Sequence, residues 1–315
     1  MKGLTDIPGI SVGHASDLDA LTGCTAILFE HGAAGGVDVR GSATGTEELG
    51  LLDPMHVTER INAILFAGGS AFGLEAASGV RRYLERRGIG VMTPGGPVPL
   101  VPAAILFDLA FAKKHVRPTR EMGEAAAGAA STRAVEEGAV GAGTGATVGK
   151  LFGMQQAMKS GVGSFTVELP GGVLVSSLAV VNAFGDVIDP ATGQIVAGAR
   201  TARLSHEFAN TARALKSGVQ GVFLRQNTTL VVVATNAKLS KPGAAKLAEF
   251  GSAGMARSIS PAWTTFDGDL VIGVSVGERK ADINALGSAA GEAVVQSILR
   301  AVRLAPSLGG VPGLK

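Results

Sequence analysis

Hydrophobic positions along the chain change their period several times, and each change predicts an element. A short apolar run, Thr25 to Phe29, reads as a strand and precedes a glycine-rich stretch, residues 31–48 (HGAAGGVDVRGSATGTEE), that reads as a loop. A second run, Asn62 to Ala67, feeds directly into a helical pattern from Ala71 to Arg87. Four prolines between residues 93 and 104 exclude regular helix or central strand there and predict a rigid, shaped loop. Glu121 to Glu137 is alanine-rich and predicts a helix, and from Gly161 onward the texture is that of strands, with tight turns at Pro170-Gly171-Gly172 and around Gly185. Residues 199–226 are polar, basic and poorly periodic, which predicts a surface connector. That connector ends abruptly at TTLVVVA, Thr228 to Ala234, the strongest β-branched run in the chain. A helix over Lys241 to Arg257, a strand over Leu270 to Val276 and a final helix near Ala281 to Arg303 complete a mixed α/β pattern.

Composition narrows this picture. With hydrophobic residues at 46% but a single Trp and a single Tyr, the core must be built from Ala, Val, Leu and Ile. Glycine, at 46 residues without a fixed period, implies tight turns and close backbone approach, as in a compact enzyme. A length of 315 residues fits two average domains or one large layered domain. The net charge of +2 is evenly scattered, with no basic stripe interleaved with aromatics, so nucleic acid is not an expected partner. Cys24 is the only cysteine and excludes an intrachain disulfide. His14, His31, His56, His115 and His206 are too dispersed to suggest a zinc site, and no metal or other cofactor is expected. The opening MKGLTDIPGISVGHASD carries no apolar h-region and no run approaches the length of a membrane span, so the expected location is cytoplasmic, away from any membrane.

Three familiar motifs fail on their own terms. GAGTGATVGK ends in Gly149-Lys150 but has Thr144 where a phosphate-binding loop needs its first Gly, and Leu151 where it needs Ser or Thr. No strand is followed by G-x-G-x-x-G with an acidic residue at the required distance. Ser70, in FAGGSAFG, follows a strand and opens a helix as a nucleophile elbow should, yet Phe72 stands where that motif needs Gly. The bland reading of Ser70 is a helix cap at a strand-to-helix turn.

The informative place is Gln226-Asn227-Thr228-Thr229-Leu230, where the polar connector delivers Asn-Thr to the head of the strongest strand. A threonine hydroxyl is a poor nucleophile without an adjacent base. Its own α-amino group, with a pKa of about 7.7 to 8.0, becomes such a base once the preceding peptide bond is cut. The first cut would be an attack of the Thr228 hydroxyl on the Asn227 carbonyl, followed by hydrolysis of the ester. Taken alone, Asn-Thr reads as an ordinary strand start.

Nearly the whole chain resembles the DmpA-type L-aminopeptidase/D-esterases, whose relatives include β-peptidyl aminopeptidases and the 6-aminohexanoate (nylon) oligomer hydrolases. The similarity runs in family order through GLTDIPGISVGHASD, GCTAILFEHGAAGGVDVRGSATGTEE, FAGGSAFGLEAASGV, VPAAILFDL, GAGTGATVGK, VVNAFGDVIDPATG, NTTLVVVATNAKL and FDGDLV. The Asn-Thr-Thr form is most similar to the oligomer hydrolases. The resemblance implies a single α/β domain, a four-layer αββα sandwich like that of N-terminal nucleophile hydrolases, processed into residues 1–227 and 228–315. It also implies a homo-oligomer, a tetramer, acting on peptide, amino-acid amide or oligoamide substrates.

Carried over residue by residue, the resemblance makes Thr228 the nucleophile and Asn227 the residue before the cut bond. It puts Lys150 beside the nucleophile, where a cation stabilises developing negative charge, and gives Asn182 an oxyanion-binding NH2. Asp267 and Asp269 become the acidic pair that orients the nucleophile and its amine. Without the resemblance, Lys150 reads as a surface lysine, Asn182 as a turn former before Gly185, and FDGD as a solvated turn. One departure stands out, because the oligomer hydrolases carry Tyr where this chain has Phe107, and the single tyrosine, Tyr83, lies in a different element. Two other function classes remain at this level: a serine hydrolase using Ser70 as an unprocessed chain, and a non-catalytic ligand-binding homologue.

Overall fold

The computed structural model describes residues 2–111, 113–219 and 227–315. The first half supplies β1 (Ile10–Asp17), β2 (Thr22–Val39), β3 (Gly45–Glu47) and β4 (Ile61–Ala67), then a 3-10 turn and α1 (Glu75–Glu85). A hairpin of β5 (Val91–Thr93) and β6 (Gly96–Val98) leads to β7 (Ala103–Ile105) and α2 (Arg120–Gly128). Next come the paired short strands β8 (Thr147–Val148) and β9 (Met158–Lys159), then β10 (Val162–Leu169), β11 (Val173–Asn182), β12 (Asp186–Asp189), β13 (Gln194–Ala197) and α3 (Thr211–Lys216). The chain closes with β14 (Thr228–Ala237), α4 (Lys241–Ser258), β15 (Ile259–Ser260), β16 (Leu270–Arg279) and α5 (Ile283–Arg303).

Side-chain alternation along β14 sets the layers, because successive residues face opposite sides of a sheet. Leu230, Val232 and Ala234 join Leu178 and Val180 of β11 and Leu270 and Ile272 of β16 in a core shared with Ile27, Phe29, Ile64 and Phe66 of the facing strands. Val231 and Val233 point the other way, onto Leu247 and Ala248 of α4 and Val294 and Ile298 of α5. On the far side, Ala26, Ala63 and Leu65 meet Ala76, Val80 and Ala126 of α1 and α2. Helices, sheet, sheet and helices therefore stack in four layers, the αββα sandwich expected from the resemblance. β2 belongs to both sheets, pairing antiparallel with β4 through residues 24–28 and with β16 through residues 34–39. β14 is central in its sheet, antiparallel to β11 and parallel to β16.

Several sequence expectations are corrected. The glycine-rich stretch 31–48 is not all loop, since β2 runs through residues 31–39. Glycine serves close approach there: a Cβ on Gly36 would lie 2.2 Å from the main-chain nitrogen of Ala245 in α4. The proline-rich segment holds a small hairpin as well as shaped loop. The helix expected over Glu121 to Glu137 stops at Gly128, because Ser131 leaves it to exchange main-chain hydrogen bonds with Val12 of β1 at 3.1 Å each way. The connector 199–226 is not wholly surface: it contains α3, and both Arg200 and Thr211 are buried, Thr211 donating to Asp186. Residues 220–226 of it, Gln226 included, lie outside the described residues. Ser70 sits in a positive-φ turn (φ 55°) and its side chain caps neither the 3-10 turn nor α1. Among the described residues no helix is long and apolar enough to cross a membrane.

Candidate active site

The head of β14 is buried where the two sheets end together. Thr228 stands opposite Asn182, the last residue of β11, and both share the strand faces that carry Leu230 and Val180 into the space between the sheets. Just before it, Asn227 bridges in parallel to Asp267. The Asn227 carbonyl oxygen accepts from Gly268 N (2.8 Å) and from Thr228 Oγ1 (2.5 Å). No side chain fits at position 268, where a Cβ would lie 2.7 Å from the Ala43 oxygen and 2.9 Å from Thr228 Oγ1. The Thr228 hydroxyl, the Asn227 carbonyl and a main-chain N–H are thus packed against one another.

Lys150 follows β8, with its main-chain N donating to Phe184 O at 3.1 Å. It is buried, not a surface lysine, and its Nζ donates to Asn182 Oδ1 (2.6 Å) and Asn182 O (2.9 Å). Thr147 N donates to the same Oδ1 at 3.1 Å. Because an ammonium and a main-chain N–H only donate, the Asn182 side-chain oxygen must face them. The NH2 is thereby turned toward Phe107, whose carbonyl accepts from Asn182 Nδ2 at 3.1 Å. Burial pushes the Lys150 ammonium down to about 7, against the pull of Asp267, Asp108 and Asp269.

The FDGD turn is likewise buried rather than solvated. Asp267 accepts from Phe184 N (3.1 Å), from Thr264 N (3.2 Å) and from the Thr264 hydroxyl. Asp269 accepts from Thr229 N (2.6 Å) and Trp263 N (3.3 Å). Residues just past β2 clamp the turn, with Gly41 N donating to Asp269 O (2.9 Å) and Ala43 N to Asp267 O (2.9 Å). Burial raises both carboxyls, and the charge of Asp267 helps to lift Asp269 to about 8. A buried amine near 7 and two raised carboxyls place a set of exchangeable protons around the Asn227–Thr228 bond.

Five side chains marked in the sequence, those of Thr228, Asn182, Lys150, Asp267 and Asp269, therefore converge on one place, with Asn227 beside them. The sequence reading missed Thr147, Trp263, Thr264, Gly268 and Asp108. Thr147, Trp263 and Gly268 reach the site only through main-chain groups, and no residue-type pattern marks such donors. A small cavity beside Lys150 is bordered by Phe107, Asp108, Phe111, Thr147 and Met154. Tyr83 is remote from it, in the α1 layer under the Arg87 guanidinium. Among the described residues, no three His, Cys, Asp or Glu side chains gather as a metal-binding group would.

Comparison with known proteins agrees with this architecture. An uncharacterized aminopeptidase of Mycobacterium leprae is 38% identical over 348 residues, spanning 99% of this chain and 93% of its own. A 6-aminohexanoate-oligomer endohydrolase of Kocuria sp. is 31% identical, across 95% of this chain and 85% of its own. The solved L-aminopeptidase D-Ala-esterase/amidase of Ochrobactrum anthropi, a variant of the Ntn hydrolase fold, matches with a TM-score of 0.75 at 19% identity, covering 99% of this chain and 88% of its own. A Burkholderia beta-aminopeptidase matches at a TM-score of 0.70 and 22% identity, covering 100% and 91%. The family model of peptidase family S58 matches residues 2–315, and the chain belongs to that family, hydrolases of amide and peptide bonds with an Ntn-type αββα fold.

Proposed function

We propose that the chain cuts itself between Asn227 and Thr228 and then works as an N-terminal-threonine amide hydrolase. The observation that carries this reading is the Asn227 carbonyl, held at once by the Gly268 N–H at 2.8 Å and against the Thr228 hydroxyl at 2.5 Å. Lys150 in its neutral form keeps two N–H groups on Asn182 and has a lone pair left for the Thr228 hydroxyl proton. Oγ then bonds to the Asn227 carbonyl carbon, and the negative charge formed on the oxygen is stabilised by the Gly268 N–H. Collapse breaks the C–N bond, with Lys150 returning its proton to the departing amine. Water hydrolyses the resulting ester, leaving an Asn227 carboxylate and a free Thr228.

The new α-amino group, with a pKa of about 7.7 to 8.0, serves as the base for later turnovers. Asp267 and Asp269, beside that amine, hold and orient it. The substrate's amide carbon takes the place of the Asn227 carbonyl, its acyl part passes to Thr228 Oγ, and its amine leaves. Small peptides, amino-acid amides and 6-aminohexanoate oligomers fit this chemistry, in keeping with the names of the relatives. The products 1–227 and 228–315 stay together because β14 pairs with β11 and β16 pairs with β2, each ladder joining one product to the other.

N-terminal sequencing of the purified protein tests this reading. It should give a second sequence beginning Thr-Thr-Leu-Val-Val in equal amount to the first. A single N-terminus in folded protein that hydrolyses amides removes the N-terminal threonine from the account.

A further inference from the structure

A second lysine takes no part in the chemistry above, yet is buried more deeply than Lys150. Lys159, in β9, donates from Nζ to three main-chain oxygens, those of Gly143 (3.1 Å), Ala146 (2.8 Å) and Ser160 (2.5 Å). All three ammonium protons are used. Two of those carbonyls lie in the segment that runs into β8, where Thr147 pairs directly with Lys159. Thr147 N is the donor that fixes Asn182 Oδ1, and Lys150 lies two residues beyond β8. One ammonium thus grips the segment that presents both groups.

The acid that faces Lys159 is Asp108, which acts on Lys150 as well. Its carboxylate accepts from Thr22 Oγ1 and Gly69 N, each at 2.7 Å, and it borders the cavity shared by Phe107 and Lys150. It is packed so tightly on the same segment that a Cβ on Gly145 would lie 2.4 Å from the Asp108 Cβ. Replacing buried charges by apolar side chains of similar volume is often neutral or stabilising, so packing alone is a weak reason for this arrangement.

We propose that Lys159 and Asp108 are positioning residues for the reaction at Thr228: Lys159, through the Gly143 and Ala146 carbonyls, holds Thr147 N–H on Asn182 and Lys150 in place, and Asp108 packs against the same segment. The proposal rests on the reading of Lys150 as the base of self-cleavage. The acids that act on that amine are Asp267, Asp108 and Asp269, while burial, with the charge of Lys150 added, pushes Lys159 itself down to about 7. Without the Asp108 charge the Lys150 proton leaves at lower pH. A purely structural role would not move that midpoint.

The test follows self-cleavage of pulse-labelled chain made by cell-free translation and moved into buffers spanning the neutral range. Lys159→Met should slow cleavage about tenfold through lost positioning. Asp108→Asn should move the rising limb of the pH profile down by about half a unit. Lys159→Arg, which keeps charge and donors, should recover most of the rate lost in Lys159→Met. Should Lys159→Met fail to fold, the isosteric Asp108→Asn carries the test alone. Wild-type profiles in the folded variants overturn the proposal. Wild-type chain that does not cleave, or Thr228→Ala that does, overturns the underlying reading and the proposal with it.

Discussion

Lys150 directs two N–H groups at a single residue, Asn182, one at its main-chain oxygen (2.9 Å) and one at its side-chain oxygen (2.6 Å). Asn182 in turn stands opposite Thr228 in the β11–β14 ladder, so the orientation of the amine and the position of Thr228 are coupled through one residue. Asn182→Ala should leave the circular dichroism spectrum unchanged and slow self-cleavage about 100-fold, the scale of losing one preorganised polar group. Cleavage at the wild-type rate would remove Asn182 from the machinery.

The pH dependence follows from the buried amine. With Lys150 lowered to about 7 by burial, the neutral base forms as pH rises through about 7. Self-cleavage should therefore accelerate about tenfold per unit below that point and level off above it. Time courses on freshly made precursor measure this, and a rate independent of pH across the neutral range contradicts the assignment of Lys150 as the base.

Gly268 leaves no room for a side chain beside the bond proposed to be cut. A methyl group there would press on the Ala43 oxygen and Thr228 Oγ1, and relief requires moving the N–H that holds the Asn227 carbonyl. Gly268→Ala should cost about 1 to 3 kcal/mol of stability as overpacking does. It should also leave most of the chain uncut. A melting curve with a denaturing gel reads both, and complete processing in Gly268→Ala shows that the N–H contact is dispensable.

Phe107 borders the cavity beside Lys150, and its carbonyl receives the Asn182 NH2. Phe107→Tyr adds one hydroxyl on the same ring. It should raise kcat/KM on a 6-aminohexanoate oligomer several-fold, about 1 kcal/mol for one hydrogen bond gained. Unchanged or reduced kcat/KM shows that the cavity makes no use of a hydroxyl.

The strands and helices that make up the core were legible because their periods are those of buried faces: β14, α4, β16 and α5 lie where TTLVVVA and the later patterns put them. Glycines in β2 hid a strand, since a residue without a side chain carries no period, and its reason for being there is the approach of α4. Alanines past Gly128 suggested helix until Ser131 found a partner in Val12, a tertiary pairing that overrides local propensity. At the site, residue types and family order marked Thr228, Lys150, Asn182, Asp267 and Asp269. The donors that fix them are largely main-chain groups of Thr147, Trp263 and Gly268, which have no signature in residue type. Burial of Lys150 and Lys159 is likewise a property of the packed loop, not of GATVGK as a string.

Denaturing mass spectrometry of freshly purified wild-type protein beside Thr228→Ala tests the central claim most directly. The account predicts that wild type separates into residues 1–227 and 228–315, roughly 23 and 9 kDa of the 31.6 kDa chain, while Thr228→Ala remains whole. Folded wild-type protein that stays in one piece, or a Thr228→Ala chain that splits at the same bond, would contradict it.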